Sequence, residues 1–310
     1  MLVHIENLVK RYGSLVALDH LNLDIREGEI FGLLGPNGSG KTTAINCILA
    51  LLKYDKGSIR IFGKEMEPDN YEAKRQIGIV QQNVAVFDEF TVYENIDYFC
   101  GLYINDRKKR KQLVEEAIAF VGLEDYRKIR PKKLSGGLLR RLNIACGIAH
   151  KPRLIILDEP TVAVDPQSRN RILEGIQQLN RQGSTIIYTS HYMEEVEQIC
   201  TRIAIMDHGR SIASGTKEQL TGMIKTGEKV TVEAVVLKEE QLVQIRELSH
   251  VFKVDYENDI LRVQCTEAKH NLVRILRYLE DQEISFGRVY SELPTLNDVF
   301  LEITGKELRD

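Results

Sequence analysis

A glycine-rich loop at residues 35–42, Gly-Pro-Asn-Gly-Ser-Gly-Lys-Thr, carries residue types that can bind a phosphate group. Glycines let backbone N–H groups approach phosphate oxygens closely, and the start of a helix adds positive potential. In such a loop Lys41 reaches the β- and γ-phosphates of a nucleotide, and the Thr42 hydroxyl ligates Mg²⁺. A glycine-rich turn that binds nothing is the alternative. It is disfavoured because a predicted strand precedes the loop and a predicted helix follows it.

Two acidic residues, Asp158 and Glu159, directly follow an apolar run at 154–157. Because a buried strand of a parallel sheet delivers its last residues to the edge where ligands bind, we expect both carboxylates to face the phosphate loop. Asp158 would then hold the magnesium ion through water, and Glu159 would polarise or orient an attacking water as a general base. The alternative, two acids on the surface at a strand end, is disfavoured beside a phosphate loop.

The elements that position these loops are predicted from the alternation of apolar runs and turn signals. Between about residues 92 and 150 the pattern changes to amphipathic helices, which we interpret as a helical subdomain. Strands and helices alternate again afterwards, which favours an α/β fold with a largely parallel sheet covered on both faces. The predicted strands are 2–5, 21–25, 30–34, 58–62, 154–157, 185–189 and 202–207, and the predicted helices are 43–52, 94–103, 107–121, 138–149, 167–181 and 193–200.

A hairpin pattern at residues 209–216 predicts the end of this first domain, which we place at residues 1–220. Residues 225–310 are predicted to form a small, separate α+β domain. Its strand–helix–strand–strand–helix–strand order is the split βαβ arrangement of a ferredoxin-like domain, and a further helix follows Pro294. The predicted strands are 229–236, 251–256, 260–265 and 285–290, and the predicted helices are 238–248 and 268–280.

Composition and charge disfavour several classes of protein. The formal net charge of −3 argues against a general nucleic-acid binder, which normally carries a basic excess. The basic runs at 107–111 and 128–133 are therefore interpreted as solvated helix faces. The chain shows no secretory signal pattern and no apolar run near the roughly 20 residues that span a bilayer, so we expect a cytoplasmic protein. Five scattered cysteines predict free thiols in a reducing compartment.

Three motifs together resemble those of ATP-binding-cassette (ABC) ATPases. The loop at 35–42 is similar to their Walker A motif, Leu134-Ser135-Gly136-Gly137 to their signature motif, and the segment 157–160 to their Walker B motif. The resemblance covers about residues 2–217 and implies a P-loop NTPase fold that binds ATP and Mg²⁺ and hydrolyses ATP. A P-loop kinase is disfavoured, because the signature motif has no role in one.

The resemblance also implies how the nucleotide is held. Tyr12 corresponds to the aromatic residue that stacks on adenine, with Val16 packed beside it, although Tyr12 taken alone would equally suit core packing. The implied phosphate-binding residues are Asn37, Gly38, Ser39, Gly40, Lys41, Thr42 and Thr43.

Further positions follow from the same resemblance. Gln82 corresponds to the glutamine that senses Mg²⁺ and water and reports to a membrane partner, with the neighbouring Gln81 as the less favoured candidate. Asp165 corresponds to the aspartate of the D-loop. His191, just after a predicted strand, corresponds to the switch histidine near the γ-phosphate. Lys41, Gln82, Glu159 and His191 are thus the expected catalytic set, and Thr42, Gln82 and Asp158 the expected metal ligands.

The signature motif implies that the protein works in pairs. In the family, Ser135, Gly136 and Gly137 face the γ-phosphate held by the other subunit, so that a head-to-tail dimer sandwiches two ATP molecules. Leu138 departs from the family pattern, which has glutamine here. Leucine cannot hydrogen-bond to the ribose or the opposing loop, so we expect a weaker polar contact across the dimer.

The C-terminal segment 296–305 resembles that of drug- and antibiotic-exporter ATPases that pair with ABC-2 type permeases. The resemblance implies an exporter subunit, a homodimer or a paired ABC ATPase, bound to an integral membrane permease at the inner face of the membrane. We expect the C-terminal domain to stabilise the dimer or regulate docking. The alternative is a soluble ABC ATPase that acts on nucleic acid or the ribosome. It is disfavoured by the acidic charge and by the lack of a second cassette, a coiled coil or zinc cysteines.

Overall fold

The computed structural model describes residues 1–234 and 236–305. The chain divides into two compact units, the first covering Met1–Ser214 and the second beginning at Gly215. Each unit has its own hydrophobic core. Among the described residues, no helix has both the length and the apolar character needed to cross a bilayer. The five cysteines are free, as predicted.

The first unit is a mixture of strands and helices. Its strands are β1 (Val3–Tyr12), β2 (Leu15–Ile25), β3 (Ile30–Leu34), β4 (Lys56–Ile61), β5 (Lys64–Glu65), β6 (Ile77–Val80), β7 (Leu154–Asp158), β8 (Thr185–Ser190), β9 (Arg202–Asp207) and β10 (Arg210–Gly215). Its helices are α1 (Lys41–Ile48), α2 (Tyr71–Lys74), α3 (Val92–Gly101), α4 (Arg107–Val121), α5 (Gly136–Ile148), α6 (Pro166–Arg181) and α7 (Met193–Ile199).

A six-stranded sheet in the order β10-β9-β3-β8-β7-β6 forms the centre of the first unit. The neighbouring pairs from β9 to β6 are parallel, so the predicted parallel sheet is confirmed. Every residue of β3, β7 and β8 is buried, as expected for strands covered on both faces. Strand β6 is absent from the predicted set because its four residues form too short an apolar run to stand out.

A second sheet, in the order β2-β1-β4-β5, is entirely antiparallel. The apolar pattern of these strands does not distinguish them from strands of the parallel sheet. Only two residues connect β1 to β2, and a connection this short joins antiparallel neighbours. The two strands therefore form a hairpin, and β4 pairs with β1 instead of with β3.

The helical subdomain consists of α3, α4 and α5, which pack on one another. Helix α4 has the predicted bounds, whereas α3 begins two residues early because Thr91 and Glu94 form a capping box. Helix α5 also begins two residues before its predicted start. Ser135 is its N-cap, since its hydroxyl accepts a hydrogen bond from the Leu138 N–H, so Gly136 and Gly137 belong to the first turn.

The second unit begins with a short helix that was not predicted, and the elements after it follow the predicted order. Its elements are α8 (Lys217–Thr221), β11 (Glu228–Ala234), α9 (Glu239–Arg246), β12 (Val251–Glu257), β13 (Ile260–Cys265), α10 (Asn271–Asp281), β14 (Phe286–Glu292) and α11 (Leu296–Thr304). The sheet order is β12-β13-β11-β14, and all neighbours are antiparallel, as in a split βαβ arrangement.

The terminal helix α11 packs against α8. Val299 and Phe300 are buried on this helix, whereas Ile303 is 40% exposed. Ile303 lies in the last turn of the helix.

A buried histidine ties the helical subdomain to the parallel sheet. His150, just beyond α5, stacks on Tyr103 at 3.8 Å between ring centroids, and its Nε2 lies 3.2 Å from the carbonyl oxygen of Ile77 on β6. Burial lowers the pKa of His150 to about 4, while the backbone contact opposes the shift. The ring is therefore neutral at neutral pH.

This lowered pKa predicts a specific loss of stability in mild acid. Between pH 6.5 and pH 4 the unfolded chain binds a proton at His150 and the folded protein does not, so acidification favours unfolding. From about pH 7 to about pH 5 this site alone costs about 2 kcal/mol. The free energy of unfolding can be measured in urea at about pH 7 and at about pH 5. Over this change in pH, His150→Phe should lose about 2 kcal/mol less stability than the parent protein loses. His208→Gln, at an exposed position, is the control, and equal pH dependence in all three proteins would refute the interpretation.

Candidate active site

The phosphate loop connects β3 to α1, and its last glycine has a backbone conformation that other residues rarely adopt. Gly40 is the N-cap of α1 with φ +104°, and a Cβ atom there would lie 2.7 Å from the carbonyl oxygen of Ala17. Glycine is therefore required for both conformation and space. The first N–H groups of α1 lie next to the loop, where they can bind an anion.

Lys41, the first residue of α1, is buried inside this loop. Its ammonium group donates to the carbonyl oxygens of Gly35 at 2.8 Å and Pro36 at 3.2 Å. Burial lowers the pKa of Lys41, and the nearby Glu159 carboxylate opposes the shift. The lysine is thus held where a phosphate in the loop would contact it.

Thr189, on β8, fixes the two acidic residues at the end of β7. Its hydroxyl donates to Asp158 Oδ1 at 2.6 Å and accepts from the Glu159 N–H at 3.0 Å. The other Asp158 oxygen accepts from the Thr42 hydroxyl at 3.1 Å. The predicted meeting of the phosphate loop with the acidic strand end is therefore observed.

Glu159 is the residue on which the predicted catalytic side chains converge. It is buried, and its φ of +47° lies in the left-handed region. Gln82 Nε2 donates to its Oε2 at 3.0 Å, while Lys41 Nζ and His191 Nδ1 lie 3.6 Å and 3.4 Å from its Oε1. A non-glycine residue in this conformation costs about 1–3 kcal/mol and is typical of functional sites.

The convergence also distinguishes the two neighbouring glutamines. Gln82 is the one whose side chain reaches Glu159. Gln81 contributes its carbonyl oxygen, which accepts from Arg140 at 3.1 Å and Asn143 at 3.3 Å on α5. The geometry therefore favours Gln82 as the sensing residue.

Two observations test whether a nucleotide and a metal ion suit this loop. The Ser39 hydroxyl is buried without a hydrogen-bond partner among the described residues, so the loop has a polar atom free for a ligand. The described residues contain no cluster of three or more His, Cys, Asp or Glu placed to hold a metal ion. Thr42, Gln82 and Asp158 instead offer a hydroxyl, an amide and one carboxylate, a sparse oxygen set that fits Mg²⁺ shared with phosphate.

Tyr12 and Val16 lie at the turn end of the β1–β2 hairpin. Tyr12 is 49% exposed and Val16 is 39% exposed, so the core-packing alternative for Tyr12 is wrong. Lys10 places its ammonium group 5.3 Å from the Tyr12 ring centroid. An exposed aromatic face of this kind is available for stacking against a base.

The signature residues form a second group with the D-loop aspartate. Ser135 and Gly136 are exposed, whereas Gly137 is buried. A Cβ atom at Gly137 would lie 2.6 Å from Ser168 Oγ and 3.1 Å from Asp165 Oδ2, so only glycine fits. Asp165 caps α6 by accepting from the Ser168 N–H, which lowers its pKa. The predicted site residues therefore fall into two groups, one around Glu159 and one at the start of α5.

Three residues that position the site are absent from the set predicted from the sequence, namely Thr189, Arg140 and Asn143. Thr189 is a polar residue within a fully buried strand, and this was the available signal. Arg140 and Asn143 are both buried and lie three apart on α5, so they share one face of the helix. Asn143 also accepts from the Ala85 N–H, and the two residues together connect the signature helix to the segment that contains Gln82.

The chain is similar in sequence to known ATP-binding proteins of ABC transporters. The ABC transporter family profile matches residues 18–162. The linearmycin resistance ATP-binding protein LnrL of Bacillus subtilis is 39% identical over 98% of this chain and 99% of its own length. The daunorubicin resistance ATP-binding protein DrrA3 of Streptomyces coeruleorubidus is 32% identical, covering 99% and 97%. The Nod factor export ATP-binding protein I of Ralstonia nicotianae is 33% identical, covering 100% and 95%.

A solved structure of an ATP-binding cassette also matches much of the chain. The dimeric post-hydrolysis state of the ATP-binding cassette MJ0796, bound to ADP and Pi, aligns with a TM-score of 0.64 and 28% identity over 69% of this chain and 98% of that one. The fold, the convergence on Glu159 and the full-length relatives lead to one conclusion: this chain is an ATPase that belongs to the family of ABC transporter ATP-binding proteins.

Proposed function

We propose that this protein is the ATP-hydrolysing subunit of an exporter that drives a separate membrane permease of the ABC-2 type. The observation that carries the ATP-hydrolysing role is the convergence of Lys41, Gln82 and His191 on the buried carboxylate of Glu159. The names of the similar proteins, which refer to antibiotic resistance and Nod factor export, support the direction of transport. No observation favours the alternative that acts on nucleic acid or the ribosome.

In this proposal Glu159 is the general base or orienting group for the attacking water. The Gln82 side chain donates a hydrogen bond to Oε2 of the Glu159 carboxylate. Oε1 of Glu159, which lies beside His191, is then left to accept the proton of the water. Lys41 binds the β- and γ-phosphates once they displace its contacts to the loop carbonyls. Thr42, Gln82 and Asp158 would hold Mg²⁺, which would neutralise negative charge on the phosphate oxygens when bound.

The proposed active assembly is a head-to-tail dimer with two ATP molecules at the interface. Ser135 and Gly136 are exposed at the start of an α-helix, which suits an anion held by another subunit. Asp165 lies beside them and would face the same interface. Leu138 is partly buried, so we expect its contribution across the interface to be apolar packing rather than a polar contact.

The proposed permease contact is an aromatic surface next to the Gln82 segment, formed by Phe87, Phe90, Tyr98 and Phe99. Phe87 is 40% exposed and Tyr98 is 44% exposed, and their rings meet edge to face at 5.0 Å. Fully buried Asn95 accepts from the Phe87 N–H and donates to its carbonyl oxygen, which holds this segment against α3. A firmly held aromatic surface suits an apolar helix of a partner, and we assign it to a cytoplasmic helix of the permease.

The remaining parts of the proposal concern the domains and the location. The ATPase domain, about residues 1–220, would lie at the inner face of the membrane through its permease. The domain at about 225–310 would stabilise the dimer or regulate docking.

The head-to-tail arrangement predicts that two inactive proteins can complement each other. In a Glu159→Gln background that prevents turnover, Ser135→Arg removes the signature contact and Lys41→Ala removes the phosphate contact. Neither variant should dimerise with Mg²⁺ and ATP when alone. Their mixture should form a dimer, because one interface combines an intact phosphate loop with an intact signature motif. Light scattering measures the result.

The control for this experiment is a mixture of Ser135→Arg with a Ser135→Arg/Lys41→Ala double variant, which contains no intact interface in any pairing. A dimer in the control mixture, or no dimer in the test mixture, would contradict the head-to-tail sandwich.

The aromatic surface predicts a selective loss of permease binding. Replacing Phe87 and Tyr98 together by alanine removes most of the exposed ring area, so affinity for a co-expressed ABC-2 permease in detergent should fall at least about tenfold. Tyr71→Ala, at a 68% exposed aromatic residue on α2, should bind normally. Thermal unfolding within about 2 °C of the parent would show that the variants are folded. Unchanged permease binding by the double variant would refute the docking assignment.

A further inference from the structure

Glu195 is a buried carboxylate that the hydrolytic scheme leaves without a role. It lies in the first turn of α7 and is 3% exposed. Its Oε2 accepts three hydrogen bonds, from Tyr188 at 2.7 Å, Thr161 at 2.8 Å and Ser190 at 3.1 Å. Because a buried charge is costly unless its partners are well arranged, this cluster specifies the positions of all three donors.

Two of these donors lie on β8, the strand whose Thr189 also bonds to Asp158 and Glu159. Side chains alternate along a strand, so Tyr188 and Ser190 face Glu195 while Thr189 between them faces Asp158 and Glu159. Burial and the Glu195 charge both raise the pKa of Tyr188, which keeps its phenol protonated and able to donate. Glu195 therefore fixes the strand from the side opposite the active site.

The third donor connects Glu195 to the chain that leaves the active site. Thr161 follows Glu159 by two residues and is fully buried. Its bond to Glu195 restrains the segment just after the left-handed backbone at Glu159. The carboxylate thus holds both sides of the strained position, β8 beside it and the loop beyond it.

The other oxygen of Glu195 faces the D-loop helix. Arg169 on α6 places its Nε 3.3 Å from Oε1, an ion-pair distance without the geometry of a directed hydrogen bond. The Arg169 guanidinium lies 5.0 Å from the ring centroid of Tyr192, and that ring contacts the His191 ring at 4.1 Å. The Tyr192 N–H also donates to Ser190. The His191 loop is therefore packed between groups that Glu195 positions.

We propose that Glu195 is a positioning residue for ATP hydrolysis, which holds the His191 loop, the Thr161 segment and Arg169 together so that His191 stays beside Glu159. This inference rests on the proposed hydrolytic roles of Glu159 and His191. Glu195 itself contacts neither of these residues through the bonds described, and its effect is transmitted through β8 and Tyr192.

The substitution Glu195→Gln tests this role with little change in shape. The amide cannot form the ion pair with Arg169, and its NH₂ group adds donors where the hydroxyl groups already donate. The expected result is a fall in kcat of about ten- to hundredfold, as for a small misplacement of a catalytic group, with the affinity for ATP changed less than about threefold. Glu194→Gln, at the exposed neighbouring residue on the same helix, should behave like the parent.

A double variant separates positioning from general stabilisation. If Glu195 acts through His191, then Glu195→Gln combined with His191→Ala should be no slower than His191→Ala alone. In nucleotide-free protein, the imidazole NMR signals of His191 should shift in Glu195→Gln and stay unchanged in Glu194→Gln. Tyr188→Phe, which removes one donor and keeps the ring, should show a smaller effect in the same direction.

Two results would overturn the proposal. One is fully multiplicative losses of kcat in the double variant, and the other is an unchanged His191 signal in Glu195→Gln. If Glu195→Gln does not fold, Tyr188→Phe gives the same comparison with His191→Ala and the same NMR readout. Failure of the proposed function has a different signature, because His191→Ala and Glu159→Gln would then hydrolyse ATP at the parental rate.

Discussion

The buried carboxylate of Glu159 is the constraint on which the site depends. An ionised group with little solvent around it must be compensated by hydrogen bonds and opposite charge. Gln82, His191 and Lys41 come from a loop, a strand end and a helix start, so three separate elements have to meet at one point. Thr189 keeps the strained backbone of Glu159 in place from the neighbouring strand.

The two groups of site residues are connected by the helical subdomain. Helix α5 begins at the exposed Ser135 and, further along, holds the Gln81 carbonyl through Arg140 and Asn143. The next residue is Gln82, whose side chain reaches Glu159. A continuous set of contacts therefore connects the exposed start of α5, which would meet a second subunit, to the Glu159 carboxylate, which would activate water. The aromatic surface assigned to the permease lies next to the Gln82 segment in this set of contacts. Such contacts offer a physical route for coupling ATP binding to a membrane partner.

The sequence predicts the residues that carry the chemistry of the site better than the residues that position them. The phosphate loop, the two acids at the end of β7 and His191 are recognisable because each belongs to or follows a strong apolar or glycine-rich pattern, and all of them meet in the structure. The bonds of Thr189 to Asp158 and of Glu195 to Thr161 connect segments far apart in the chain, which no local pattern reports. The separate antiparallel sheet was missed for the same reason, since strand pairing depends on partners that periodicity alone does not identify. In the second unit, clear strand and helix periodicity was enough to predict the order of elements.

The most direct test of the account is the rate of ATP hydrolysis by Glu159→Gln. The substitution keeps the shape of the side chain and removes the base, so the rate should fall at least about a hundredfold while ATP binding stays within about threefold of the parent. Glu174→Gln, on the exposed face of α6, serves as the matched control and should hydrolyse ATP normally. A parental hydrolysis rate in Glu159→Gln would contradict the central role given to this carboxylate.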